Sequence, residues 1–81
     1  MYKLHINHED KTPKYKQIVS AVVRDIEKGV LRRGEQLPSI NFVSEEYYLG
    51  RETVEKAYRE LKEAGYVSSV AGKGFYVEGT R

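Results

Sequence analysis

The chain has 81 residues, 40% of them hydrophobic and 32% charged, with no cysteine and a net charge of +2 from 14 basic and 12 acidic residues. That length suits one small domain, which buries roughly 60% of the surface its unfolded chain exposes. The composition excludes disulfides and thiolate metal sites, and no run approaches the ~20 apolar residues of a helical membrane span.

Residues 1–12 are polar, with Leu4 and Ile6 alternating against Lys3, His5 and Asn7, which predicts a short strand or an extended arm. Met1–Ile6 carries no apolar stretch of signal-peptide length. His5 and His8 stand beside Glu9 and Asp10, but a solvated segment lacks the scaffold that fixes metal ligands, so no metal or other cofactor is expected. Thr12-Pro13 reads as a helix start, with Thr12 as N-cap and Pro13 in the first turn. Tyr15, Ile18, Val19, Val22, Val23 and Ile26 then recur at spacings of three and four, with Lys16, Gln17, Arg24, Asp25 and Glu27 on the polar side. Lys28 and Gly29 mark the stop, which predicts a first helix over about 13–28.

Residues 30–34 read as a turn, with Arg32 and Arg33 solvated, and Glu35-Gln36-Leu37 can supply one or two strand residues. Pro38-Ser39 opens a second helix, about 40–47, with Ser39 as N-cap and Ile40, Val43 and Tyr47 facing inward. Tyr48-Leu49-Gly50 makes a three-residue break. The third helix, about 51–64, has Val54, Ala57, Tyr58 and Leu61 inside, and Arg51, Glu52, Glu55, Lys56, Arg59, Lys62 and Glu63 outside. Gly65 ends it. Residues 66–70 and 75–77 are β-prone, and Ala71-Gly72-Lys73-Gly74 between them suits a hairpin tip. The expected architecture is mainly α with a small β-hairpin: three helices plus a wing.

Two helices joined by a three-residue turn, the second opening on polar residues, form a helix-turn-helix signature. In that motif the first helix braces across the phosphate backbone and the N-terminal turn of the second enters the major groove. Gly50-Arg51-Glu52-Thr53 supplies that turn: Arg51 suits guanine or phosphate, and Thr53 suits phosphate or a thymine methyl. Lys73 between glycines places one cation on a tip that can approach the sugar–phosphate surface closely. Lys14, Lys16 and Lys56 are further phosphate candidates. Tyr47, Tyr48 and Tyr58 are expected to plug the core rather than stack on bases. No Ser-His-acid spacing and no phosphate-cradling loop before a helix are present, so no enzyme is expected.

Several segments taken together resemble the winged helix-turn-helix domain of GntR-family transcription regulators. They are Lys14-Tyr15-Lys16-Gln17-Ile18, Gly29-Val30-Leu31, Gly34-Glu35-Gln36-Leu37-Pro38-Ser39, Thr53-Val54-Glu55-Lys56-Ala57-Tyr58, Leu61, Gly65-Tyr66-Val67 and Gly72-Lys73-Gly74. The resemblance spans about residues 13–77, with 78–81 as the start of a linker. It implies a cytoplasmic bacterial repressor or activator that binds double-stranded operator DNA as a homodimer, with a small-molecule effector on a C-terminal domain absent from this sequence. The DNA contacts it implies are Ser39, Asn41, Gly50, Arg51, Glu52, Thr53, Lys56, Gly72, Lys73 and Gly74.

This chain departs from the family pattern at the recognition helix. Asn41 stands where an arginine is common, and Gly50 replaces a capping Ser or Thr. Glu52 and Glu55 occupy positions that are often neutral or basic, where a carboxylate repels phosphate unless it accepts from a cytosine amino group. Glu55 is expected to turn aside and pair with Arg51 or Arg59 at i±4. The near-neutral charge keeps a second reading open, a winged helix that binds a protein partner.

Overall fold

The computed structural model describes residues 2–79 and contains α1 (Lys14–Glu27), α2 (Ile40–Glu46), α3 (Arg51–Glu63), β1 (Val67–Val70) and β2 (Gly74–Val77). The apolar stripes of α1 and α3 meet in one core. Ile18, Ala21, Val22 and Ile26 from α1 pack with Val54, Ala57, Tyr58 and Leu61 from α3, and Leu31, Leu37, Val43, Val67 and Val77 close the cluster. The expected mainly helical fold with a hairpin wing is what forms.

α1 starts one residue later than the sequence suggests. Pro13, at φ −52° and ψ 141°, is itself the N-cap. Thr12 is engaged elsewhere: its N–H donates to Asp10 Oδ1 at 2.8 Å and its carbonyl accepts from Gln17 Nε2 at 3.0 Å. The helix ends as expected at Gly29, whose φ of +79° suits a residue without Cβ. Asp25 does not lie on the polar face. It is 9% exposed and accepts from Tyr2 Oη at 2.5 Å and Arg24 Nε at 3.5 Å.

Residues 2–12 form no strand within the described part, yet they are tied down. Leu4 is 4% exposed and its N–H donates to Tyr47 Oη at 3.0 Å. Asn7 and Gln17 exchange bonds of 2.9 and 3.1 Å. The extended segment therefore runs antiparallel along α1, with Tyr2 at its C-terminal end and Asn7 at its N-terminal end. Among the described residues no group of three or more His, Cys, Asp and Glu could hold a metal ion, and no helix is long and apolar enough to cross a membrane.

β1 and β2 pair antiparallel, from Val67 opposite Val77 to Val70 opposite Gly74. A third extended stretch lies on the other edge of β2. There the Gly34 N–H donates to the Val77 carbonyl, the Leu37 N–H to the Phe75 carbonyl and the Val77 N–H to the Glu35 carbonyl, each at 2.8 Å. Gln36 bridges Tyr76 between them. The strand residues expected at 35–37 thus anchor the wing to the chain that leads into α2.

Candidate nucleic-acid interface

The segment between α2 and α3 sets the angle of the recognition helix. α2 stops where the Leu49 N–H reaches back to the Ser44 carbonyl at 3.0 Å, a closure that requires a left-handed residue just after the helix. That residue is Tyr48, at φ +56°, and its side chain is 89% exposed. Tyr47 packs against the core as expected, but Tyr48 does not, because the left-handed backbone turns its side chain out. Tyr58 is buried, and its hydroxyl donates to the Pro38 carbonyl at 2.7 Å. Its ring meets Phe75 edge-on, with centroids 5.0 Å apart. One side chain of α3 thereby fixes both the entry to α2 and the wing.

The sequence-predicted site residues fall into three groups. At the start of α2, Ser39 is the N-cap, its Oγ accepting from the Phe42 N–H at 3.0 Å; Asn41 is exposed in the first turn. At the start of α3, Gly50 is the N-cap and offers no side-chain acceptor, so first-turn N–H groups remain for an outside oxygen. Thr53 is half-buried there, while Arg51, Glu52 and Lys56 are exposed. At the wing tip Gly72 and Lys73 are exposed and Gly74 is half-buried, with Gly72 at φ +76° and Gly74 at φ +121°.

Electrostatics separate the charged members of the second group. Arg51 Nη2 lies 3.4 Å from Glu55 Oε2, with both side chains well exposed, so the expected i,i+4 pair forms with Arg51. An exposed pair of this kind is worth ~0.5 kcal/mol, whereas a bidentate arginine–guanine contact discriminates by ~1–3 kcal/mol. Arg51 can therefore be released to a base at small cost. Glu52 is the acidic residue of the first turn, where a carboxylate complements the helix dipole. Lys56 Nζ sits 4.0 Å from the centroid of the Tyr15 ring, which ties α3 to the start of α1, where Lys14 Nζ donates to the His8 carbonyl at 3.5 Å and Lys16 is exposed.

Sequence reasoning missed two participants. Tyr15 appeared only as a core residue, and helical period does not say that a lysine from another helix covers its ring. Gln36 appeared as a strand residue and within the family segment 34–39, with no role at the wing, yet its Nε2 donates to the Lys73 carbonyl at 2.6 Å. No sequence pattern joins residues 37 positions apart.

Comparison with known proteins agrees with this geometry. The model of the family described as bacterial regulatory proteins, gntR family, matches residues 14–77. The HTH-type transcriptional repressor YtrA of Bacillus subtilis (strain 168) is 31% identical over 74 residues, covering 91% of this chain. The chain spans 57% of that repressor's length. The solved structure of YtrA from Sulfolobus acidocaldarius, a GntR-family transcription factor, superposes with a TM-score of 0.84 at 35% identity, over 96% of this chain and 82% of that one. The AraR DNA-binding domain in complex with operator ORE1 superposes with a TM-score of 0.76 at 26% identity, over 95% of this chain and 94% of that one.

Proposed function

The chain belongs to the gntR family of bacterial regulatory proteins, and from that membership we propose how its winged helix reads duplex operator DNA. The N-terminal turn of α3 enters the major groove, and the wing lies along the adjacent backbone or minor groove. Arg51 reads a base, with Asn41 and Thr53 beside it. The N–H groups behind Gly50 and the hydroxyl region at Ser39 face phosphates. Gly72 and Gly74 bring the backbone of the tip close to the duplex, and Lys73 supplies its charge. Lys56 reaches phosphate from its seat on Tyr15. Glu52 serves the helix dipole and excludes sequences that offer it no amino donor.

The observation that carries this reading is the pairing of an arginine-bearing helix start that has no side-chain cap with a glycine-flanked lysine tip, both on elements locked by Tyr58. Residues 13–77 form the DNA-binding unit, with the linker starting at 78; Thr80 and Arg81 fall outside the described residues. The complete regulator acts in the cytoplasm as a homodimer, spacing two such domains about 34 Å apart on one face of the duplex. A small-molecule effector binds a separate C-terminal domain. A family of regulatory proteins, not of enzymes, leaves no catalytic role to this domain.

The test is duplex binding across a salt series, using an operator selected from a random pool. Arg51→Ala weakens binding and relaxes base preference at one position, whereas Lys73→Ala weakens all sequences alike and lowers the salt slope by about 1. Affinity indifferent to salt and to both substitutions would favour a protein partner instead.

A further inference from the structure

We propose that Gln36 is the positioning residue of the wing, holding the Lys73 peptide so that the Lys73 ammonium is presented to the DNA backbone; this rests on the DNA-binding reading above. The Lys73 peptide is held from two sides. Its N–H donates to the Val70 carbonyl at 2.9 Å, closing the tip, and its carbonyl accepts from Gln36 Nε2 at 2.6 Å. The first bond lies within the hairpin. The second comes from the stretch that leads into α2, so it ties the tip itself to the stretch whose backbone already pairs with β2.

Gly74 makes room for that amide. A Cβ at Gly74 would lie 3.0 Å from Gln36 Nε2, and the φ of +121° is one that side chains rarely adopt. Position 74 therefore serves the amide as well as the turn. The Gln36 backbone is fixed in turn by its bridge to Tyr76, so the amide is carried on an ordered support. A two-stranded hairpin is marginal by itself in water, and an exposed tip belongs to the least stable parts of a fold. Lysine adds a mobile stem to that tip, so where its charge arrives depends on where its peptide is held.

The experiment compares the parent, Gln36→Leu, Lys73→Ala and the double variant for duplex affinity across a salt series, with amide exchange measured on the free protein. Losing one neutral hydrogen bond corresponds to about 3- to 10-fold. Gln36→Leu is expected to weaken binding by about that factor, to move the salt slope toward that of Lys73→Ala, and to add nothing in the Lys73→Ala background. The Lys73 amide, bonded to Val70, should exchange faster in Gln36→Leu by a larger factor than the amides of the helical core do. Parental exchange at Lys73, a parental salt slope, or two losses that simply add would each overturn the proposal. A weaker Gln36→Leu beside a Lys73→Ala that binds like the parent would overturn it too, assigning Gln36 a direct contact. Absence of salt-dependent binding by the parent would overturn the DNA reading itself, a result distinct from a binding parent with an indifferent Gln36→Leu.

Discussion

Tyr48 occupies the left-handed position that closes α2, at φ +56° and 89% exposed. An L-residue there costs roughly 1–2 kcal/mol, and a glycine avoids that cost but adds roughly 0.5–1 kcal/mol of unfolded-state freedom. The balance makes Tyr48→Gly stabilising by about 0.5–1 kcal/mol, a rise of a few degrees in melting temperature for a domain of this size. Calorimetry checks it; a fall on substitution would mean that the ring makes a stabilising contact. The break between α2 and α3 was legible as Tyr48-Leu49-Gly50, because another amphipathic run begins after it. Its left-handed residue was not, because tyrosine carries none of the signal that glycine gives. Glu55 shows the opposite case: i,i+4 spacing on one helix offered it Arg51 and Arg59, and Arg51 is the partner it takes.

The N-terminal segment contributes more than its polar composition suggests. Its Leu4 lies in the core although the family match begins at Lys14, and the Leu4 N–H bonds to Tyr47 at the end of α2. Truncating a buried leucine leaves a cavity as well as losing transfer free energy. Leu4→Ala is therefore expected to cost about 2–3 kcal/mol, toward the low end of the measured range because the segment can collapse onto α1. Urea unfolding measures it, and a midpoint equal to the parent's would show that the segment is dispensable to the fold. The alternation of Leu4 and Ile6 hinted at an inward side, but nothing in it named α1 and Tyr47 as the surfaces met. The helices were more legible. Val54, Ala57, Tyr58 and Leu61 are the buried residues of α3, as their period required, and the boundary error at Thr12-Pro13 came from Asp10 and Gln17 engaging Thr12 first.

At the scale of the molecule, two phenols couple stability to pH. Burial pushes the Tyr58 hydroxyl well above the usual phenol range, with Tyr47 adding to the effect. Burial likewise raises Tyr2, followed by its hydrogen bond to Asp25. A folded-state value above the unfolded one means that the folded chain binds more protons, so the contribution is complete below about pH 10 and is lost as pH rises beyond it. Unfolding free energy should therefore fall above about pH 10, by up to ~1.4 kcal/mol per pH unit from Tyr58, with a smaller, solvent-screened part from half-buried Tyr2. Tyr58→Phe should flatten that fall while costing about 1 kcal/mol at neutral pH through the lost bond to Pro38. Denaturant titrations between pH 8 and about 11 separate the two effects, and an alkaline slope unchanged in Tyr58→Phe would remove Tyr58 from the account.

Period and punctuation in the sequence determined the helices, the hairpin and most of their inner faces, and pointed to the family, since an apolar stripe, Ser39 before a helix and glycines flanking Lys73 are local properties of the chain. The tertiary structure alone decided which elements meet. Asp25 finds Tyr2, Lys56 covers Tyr15, Tyr58 reaches Pro38 and Gln36 holds Lys73. The physical reason is that periodicity orients a side chain about the axis of its own element. The partner it reaches depends on how that element is placed against others, and the whole core sets that placement.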